Sequence, residues 1–144
     1  MKLEERQVYQ LSMELGEKIW QIVVNWNYFE KDTIRKQLVR AADSVAANLS
    51  EGFGRFFYKE NKQLCYYSRG SLFETKTWLT KAKNRKLISD DLFKNFTEDI
   101  DLIGKKLNSY INSIGKQSPV DLMQTNENDR WLLTIDKWLL TNDQ

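Results

Sequence analysis

The sequence predicts an all-α protein, an antiparallel up-down-up-down four-helix bundle with a C-terminal extension. Two observations lead to this prediction. Apolar residues recur at steps of three and four in four separate stretches, the spacing that places them on one face of an α-helix, and none of these stretches alternates with the period of two typical of a β-strand. Connections of about two to six residues join the stretches, which favours helices that run antiparallel to their neighbours.

The first two helices are marked by their apolar residues. Those of the first helix are Val8, Leu11, Leu15, Ile19, Ile22 and Trp26, and those of the second are Ile34, Leu38, Ala41, Val45 and Leu49. We expect Asp32 or Thr33 to cap the second helix, because a side-chain oxygen there accepts a hydrogen bond from a free backbone amide. Gly52 and Gly54 are expected to end this helix in the left-handed conformation that glycine adopts readily.

Two longer helices follow. The third is predicted to span residues 58–86, with an inward face formed by Leu64, Tyr67, Ser71, Thr75, Trp78 and Ala82. Ser89 is the predicted N-cap of the fourth helix, and the acidic Asp90 and Asp91 favour the positive end of the helix dipole. The apolar residues of this helix are Leu92, Phe96, Ile100, Ile103, Leu107, Ile111 and Ile114, and Gly115 is expected to end it.

Residues 1–115 therefore form the predicted bundle, and residues 116–144 form a linker and a short C-terminal tail. Trp131 and Trp138 each begin the same four residues, Trp-Leu-Leu-Thr, seven positions apart. This spacing predicts a short helix. Two uses of the tail are open: docking on its own bundle or a neighbouring subunit, or recognition of a protein partner, for which tryptophans are effective anchors.

The composition excludes several classes of function. Among 144 residues there is no histidine and a single cysteine, Cys65, so zinc fingers, CxxC redox centres, Ser-His-Asp triads and Glu-x-x-His di-iron bundles lack essential parts. We expect no enzymatic activity, no cofactor and no metal. No apolar stretch approaches the roughly 20 residues of a membrane span, and the N-terminus lacks the apolar core of a signal peptide. These features predict a cytoplasmic protein.

Three segments resemble a known family. Residues 40–44 read Arg-Ala-Ala-Asp-Ser, residues 48–55 read Asn-Leu-Ser-Glu-Gly-Phe-Gly-Arg, and residues 69–74 contain Arg-Gly-Ser followed by Glu. Together they are similar to the bacterial four-helix bundle family of 23S ribosomal RNA intervening-sequence proteins, or S23-type proteins. The resemblance implies a barrel-shaped homopentamer. It also implies kinship with the accessory variability determinant of diversity-generating retroelements, which partners a reverse transcriptase and binds nucleic acid.

Polar residues lie beside the apolar faces of the second and third helices. They are Arg40, Ser44, Asn48 and Glu51 on the second helix and Arg69 and Glu74 on the third. We expect a structural network at the edge of the core in which Arg40 or Arg69 pairs with the two acids and fixes helix register or a subunit contact. The other interpretation makes Glu51 and Glu74 a carboxylate pair for acid–base chemistry or a metal.

Positive charge is concentrated in one part of the chain. The net charge of the whole chain is +2, but residues 53–88 carry nine basic and two acidic side chains, a local net charge of +7. The basic residues are Arg55, Lys59, Lys62, Arg69, Lys76, Lys81, Lys83, Arg85 and Lys86, with aromatic residues interleaved. Cations neutralise phosphates and aromatic rings stack on unpaired bases, so this composition favours nucleic-acid binding.

Two functions follow from these observations. The first is a non-enzymatic oligomeric bundle that binds RNA or DNA through the basic surface of the third helix. The alternative is an oligomeric scaffold or adaptor that binds a protein partner and has no nucleic-acid role, which the many aromatic residues and the Trp131/Trp138 tail favour.

Overall fold

The computed structural model describes residues 3–27, 29 and 31–116. The helices span Leu3–Val23 (α1), Lys36–Phe53 (α2), Tyr58–Asn84 (α3) and Asp90–Ser113 (α4), and a short π-helical segment, Lys31–Arg35, leads into α2. No strand occurs in these described ranges. The predicted tail, with Trp131 and Trp138, lies outside the described residues.

Contacts between neighbouring helices show that their directions alternate. The contacting pairs are Tyr9 with Phe53 and Gly16 with Asp43 (α1 and α2), Ser44 with Ser71 and Val45 with Ser68 (α2 and α3), Arg69 with Asn108 and Lys76 with Asp101 (α3 and α4), and Gln7 with Lys106 and Lys18 with Asp99 (α1 and α4). In every set the numbers rise along one helix and fall along the other. The predicted antiparallel four-helix bundle is confirmed.

The core is formed by apolar side chains from all four helices. Leu15 of α1, Leu38 and Leu49 of α2 and Leu107 of α4 are each at most 1% exposed. The predicted inward faces of α1, α2 and α4 all point into the bundle, with Leu11, Ile22 and Leu92 half-buried at its edge. The apolar periodicity of these three helices therefore identified the core.

The predicted inward face of α3 is wrong in part. Tyr67 is 55% exposed and Trp78 is only half-buried. The residues that α3 buries are Leu64, Cys65, Ser68, Leu72, Thr75, Leu79 and Ala82. Ser68 can be buried because its hydroxyl donates to the Val45 carbonyl at 2.7 Å, and Thr75 because its hydroxyl donates to the Ser71 carbonyl at 2.8 Å.

The predicted start of α2 is also wrong, whereas its predicted end at Gly54 is confirmed in position but not in conformation. Arg35 occupies the N-cap position in right-handed helical conformation and makes no side-chain cap hydrogen bond, because the π-helical turn continues directly into α2. The Thr33 hydroxyl donates backwards to the Phe29 carbonyl at 3.2 Å, and the side chain of Asp32 lies outside the described residues. Gly54 has a φ of −78°, so α2 ends without a left-handed residue there.

The predicted ends of α4 are confirmed. The Ser89 hydroxyl oxygen accepts a hydrogen bond from the Leu92 amide at 3.1 Å, as an N-cap should. Gly115 follows the helix with a φ of +83°, the left-handed conformation expected of a glycine at a helix end. Within the described part of the chain, none of the helices combines the length and the apolar character that crossing a membrane requires.

Candidate nucleic-acid interface

Four of the predicted basic residues recur every seven positions on α3: Lys62, Arg69, Lys76 and Lys83. Seven residues are close to two helical turns, so these side chains lie along one side of the helix. We call them the basic row. The contacts of its last three members show that this side of α3 faces α4.

Three members of the basic row bind α4. Arg69 Nη1 donates to Asn108 Oδ1 at 3.1 Å, Lys76 Nζ lies 3.9 Å from Asp101 Oδ1, and Lys83 Nζ lies 4.8 Å from the centre of the Phe93 ring. All three basic side chains are half-buried. They connect the two helices and are less available to an external phosphate than exposed lysines are.

Two further predicted residues have partners of their own. Arg55 Nη2 lies 2.7 Å from Glu51 Oε1, an exposed ion pair one helical turn apart. Lys81 Nζ lies 5.9 Å from the centre of the Trp78 ring. Such exposed contacts are weak and can be exchanged for contacts with a ligand, so Arg55 and Lys81 both remain available to bind a phosphate.

The remaining basic residues are divided between the two ends of α3. Lys59 and Lys62 belong to its first turns, whereas Arg85 and Lys86 are exposed just after its last residue. A helix of 27 residues is roughly 40 Å long at 1.5 Å per residue. The structure therefore does not bring the nine predicted residues into one continuous patch.

A groove lies between the start of α3 and the end of α4, and we call it the α3–α4 groove. It has a volume of about 580 Å³ and is lined by Tyr58, Lys59, Lys62, Gln63, Tyr66, Ile114, Gly115 and Lys116. Three lysines and two tyrosines thus surround one concavity, and none of the described residues that line it is acidic. Arg69 extends this surface, since its guanidinium lies 5.0 Å from the centre of the Tyr66 ring.

Lys116 was not among the predicted interface residues. In sequence it follows the bundle and lies 54 positions from Lys62. The antiparallel order brings the end of α4 beside the start of α3, so the topology alone could have suggested the pairing. At Gly115, the left-handed turn sets the backbone against the Tyr58 ring, where an added Cβ would lie 3.5 Å away.

The predicted polar network is only partly assembled. Ser44 donates to the Ser71 hydroxyl, and Asn48 Nδ2 donates to the Ser44 carbonyl at 2.8 Å, so this part links α2 to α3 at the edge of the core. Arg40, Glu51 and Glu74, in contrast, are exposed.

The expected partners of the two acids are wrong. Glu51 pairs with Arg55, and Glu74 accepts a hydrogen bond from Trp78 Nε1 at 3.2 Å, so neither depends on Arg40 or Arg69. Each partner lies four residues further along the chain, Trp78 within α3 and Arg55 just beyond the end of α2, a spacing that the sequence permitted. Among the described residues, no group of three or more potential ligands could hold a metal ion.

A buried polar cluster that the sequence did not indicate joins three helices near the α3–α4 groove. Glu5 of α1 is 5% exposed and is hydrogen-bonded to Tyr110 of α4. Asn61 Nδ2 of α3 donates to the Tyr110 hydroxyl at 3.2 Å, and its Oδ1 accepts from the Cys65 thiol at 3.7 Å. A Cβ added at Gly52 would clash with Asn61 Oδ1, which explains a glycine at this position.

This cluster changes the titration of two groups. Burial, helped by the negative charge of Glu5, raises the pKa of the Cys65 thiol to about 12. Burial and the same charge raise the pKa of Tyr110 above its usual range, against a smaller lowering by Asn61. At neutral pH both groups are therefore protonated donors, and Cys65 is an unreactive thiol rather than a nucleophile.

The outer face of α3 is unusually aromatic. Tyr66, Tyr67 and Phe73 are 44%, 55% and 64% exposed. Gly70 lies between them, and a Cβ added there would meet none of the described residues within 4 Å. A mid-helix glycine costs stability relative to alanine, so packing among the described residues gives no reason for Gly70.

The family model described as 23S rRNA-intervening sequence protein matches residues 4–109. The fold is similar to that of a protein of unknown function from the S23 ribosomal protein family of Bacteroides thetaiotaomicron, with a TM-score of 0.69 and 22% sequence identity, covering 76% of this chain and 99% of that one. None of the curated proteins matches the chain.

Proposed function

From the premise that the chain belongs to the 23S rRNA-intervening sequence protein family, we propose that it is a non-enzymatic nucleic-acid-binding bundle whose contact surface is the α3–α4 groove. The observation that carries the proposal is the convergence of Lys59, Lys62 and Lys116 on the same concavity as Tyr58 and Tyr66.

Each type of side chain in the groove has a distinct part in binding. The lysines neutralise phosphates and release counterions, which gives affinity without sequence preference. The exposed Tyr66 ring offers a stacking surface to an unpaired base, and Gln63 offers hydrogen bonds to a base edge. The groove therefore suits single-stranded or unpaired nucleic acid better than a continuous duplex, whose bases are already stacked.

The test compares charge removal inside and outside the groove. Lys59→Gln/Lys62→Gln is paired with Lys94→Gln/Lys105→Gln, which removes two exposed lysines of α4 outside the groove. Binding of a fluorescent single-stranded RNA is measured by anisotropy from about 50 to 200 mM salt. The groove variant should lower the slope of log affinity against log salt by about 0.7 for each phosphate that the protein no longer neutralises. The control should change the slope by less than half as much.

Two further results bear on the proposal. Tyr66→Ala should weaken RNA binding about five-fold or more while leaving the salt slope unchanged, because stacking releases no counterions. Equal losses in the groove variant and the α4 control would contradict the groove as the site. If the unmodified protein binds neither RNA nor DNA at low salt, the nucleic-acid function is wrong and the alternative, a scaffold that binds a protein partner, is favoured.

We also propose that the bundle self-associates through the outer face of α3, forming the pentamer that the family resemblance implies. Two observations support this: the exposed Tyr67 and Phe73, and the glycine between them at Gly70. An exposed apolar patch typically marks an interaction site. A glycine without a packing role in its own chain lets a second helix approach closely. Five copies would also multiply the positive field around the grooves.

Gly70→Ala distinguishes self-association through the outer face of α3 from a role of Gly70 within its own chain only. In an isolated bundle the alanine should raise the unfolding free energy by about 0.5–1 kcal/mol, because it is the better helix former. At a close helix–helix contact it should instead lower the particle mass measured by light scattering. Gly104→Ala is the control, because an added Cβ there meets only Leu72 of the same chain at 3.7 Å. A monomeric unmodified protein would exclude self-association, whatever its RNA affinity.

A further inference from the structure

A second groove with cationic and aromatic walls lies between α1 and α2, near the end of the bundle opposite the α3–α4 groove. It has a volume of about 470 Å³ and is lined by Trp20, Arg35, Lys36, Gln37, Val39 and Arg40. We call it the α1–α2 groove. Of the described residues that line it, three are basic and none is acidic.

Trp20 is the apolar part of this groove. Its side chain is 47% exposed although it belongs to α1, which buries Ile19 and Val23 on the adjacent face. About half of the Trp20 surface is therefore open to a ligand. Tryptophan is the most effective side chain for stacking on a flat ring or binding a cation, and Val39 adds apolar surface beside it.

The cations of the groove are suited to phosphate. Arg35 and Arg40 carry planar guanidinium groups, which bind phosphate oxygens through paired hydrogen bonds. Glu17 and Asp43 lie one turn from Trp20 and Arg40 respectively, and the negative charge of Glu17 contributes, after burial, to the raised pKa of Asp43. This local negative charge repels a phosphate, so the phosphates belong at the Arg35 and Lys36 side of the groove.

We infer that the α1–α2 groove is a binding site for a phosphorylated nucleobase, with the base stacked on Trp20 and the phosphates held by Arg35 and Lys36. A volume of about 470 Å³ falls within the 300–1,000 Å³ range of pockets for small ligands. The inference does not depend on nucleic-acid binding by the α3–α4 groove, because the two grooves share no residue.

The test is calorimetric titration of the full chain with ATP, adenosine and tripolyphosphate at low salt. ATP should bind more tightly than either part alone. Trp20→Ala should weaken ATP about 5- to 150-fold, the range expected for loss of one stacked base, and change tripolyphosphate less than two-fold. Trp20→Phe should recover most of the ATP affinity. Arg35→Gln should weaken both ATP and tripolyphosphate about tenfold.

Lys105→Gln is the charge-matched control, since Lys105 is exposed on α4 outside this groove, and it should leave ATP binding unchanged. Circular-dichroism melting confirms that each variant folds. If tripolyphosphate binds as tightly as ATP and Trp20→Ala affects neither, the site is only a region of positive charge and the inference is wrong. Failure of ATP to bind at low salt also overturns it.

Competition distinguishes the sources of the ligand. A strand with a 5′ phosphate that displaces ATP, when the same strand with a 5′ hydroxyl does not, assigns the groove to the end of a nucleic acid. If neither strand displaces ATP, the groove binds a free nucleotide. Both outcomes support a site that binds a base together with its phosphates. Lys59→Gln/Lys62→Gln should leave ATP binding unchanged, so failure at one groove is distinguishable from failure at the other.

Discussion

α4 and α3 are neighbours in the bundle, yet they divide apolar and polar residues differently. α4 buries Phe96, Ile100, Ile103 and Leu107 and keeps its charges outside. α3 buries two hydroxyl groups, Ser68 and Thr75, and a thiol, Cys65, while it exposes the rings of Tyr66, Tyr67 and Phe73. The difference indicates that α4 mainly packs the core, with Tyr110 as its buried polar residue, whereas α3 also presents an aromatic outer surface.

The largest expected contrast is between one apolar residue from each helix. Leu107→Ala, at a fully buried position of α4, should lower the free energy of unfolding by about 2–5 kcal/mol through reduced burial and the cavity it leaves. Phe73→Ala, at a 64% exposed position of α3, should change the stability of the isolated bundle by about 0.5 kcal/mol or less. Urea denaturation at low protein concentration measures both. A large loss from Phe73→Ala under those conditions would show that the ring packs within its own chain.

Alkaline pH tests the place where the two helices share buried polar groups. The pKa of Cys65 rises from 9.0 to about 12 on folding, so the stability gained from its neutral thiol is complete below pH 9 and is lost as the pH rises from 9 toward 12. The loss is about 1.4 kcal/mol per pH unit for one titrating group. Tyr110, whose pKa is also raised, acts in the same direction.

Denaturation midpoints at pH 8, 9, 10 and 11 measure this effect. Cys65→Ala should flatten the curve, and Tyr67→Phe, which removes an exposed phenol, should leave its shape unchanged. At pH 8 the thiol should resist alkylation in the folded protein. Rapid alkylation without denaturant would contradict the burial of Cys65.

A smaller effect is expected from the hydroxyl groups that α3 buries. Ser68→Ala removes the 2.7 Å hydrogen bond to the Val45 carbonyl and should lower the free energy of unfolding by about 0.5–1.5 kcal/mol. Thr77→Ala is the control, because the exposed Thr77 hydroxyl bonds only within its own helix, to the Phe73 carbonyl at 3.3 Å. A neutral Ser68→Ala would mean that this hydrogen bond contributes nothing to the α2–α3 contact.

The smallest expected effects concern the starts of the two helices. Ser89→Ala removes the cap of α4 and should cost about 1 kcal/mol. At the N-cap of α3, Phe57 has extended backbone angles but no side-chain cap hydrogen bond. Phe57→Ser should therefore raise the unfolding free energy by several tenths of a kcal/mol, measured by thermal melting. A fall in stability would show that the contact between the Phe56 and Phe57 rings outweighs a cap.

The same contrast explains what the sequence could predict. Apolar periodicity located α1, α2 and α4 because most of the residues they bury are apolar, and the Ser89 cap and Gly115 are local signals. The inward face of α3 is mispredicted because Tyr67 and Trp78 are apolar enough to suggest core positions. Ser68, in contrast, is typical of a surface position, and its burial depends on the hydrogen bond to the Val45 carbonyl. Val45 belongs to α2, so the apolar periodicity of α3 cannot predict this hydrogen bond.

The candidate site was predicted in composition but not in geometry. The sequence predicts that the basic and aromatic residues of α3 form the interface, yet most of the basic row faces α4. Lys116 joins the groove only because the antiparallel topology places the end of α4 beside the start of α3. The sequence predicts that Arg40 or Arg69 pairs with Glu51 and Glu74, whereas in the structure Glu51 pairs with Arg55 just beyond α2 and Glu74 with Trp78 of its own helix. Sequence spacing alone cannot choose between these two kinds of partner.

The basic row also limits how the bundle can change in length. Arg69, Lys76 and Lys83 meet α4 at intervals of seven residues. An insertion of one residue between two of them would rotate the later members by about 100° and carry them away from α4. An insertion of seven would leave every member on the same side. A longer relative that keeps the contact between the basic row and α4 should therefore have an α3 that is longer by a multiple of seven residues. Its α4 should be longer by the same number of residues.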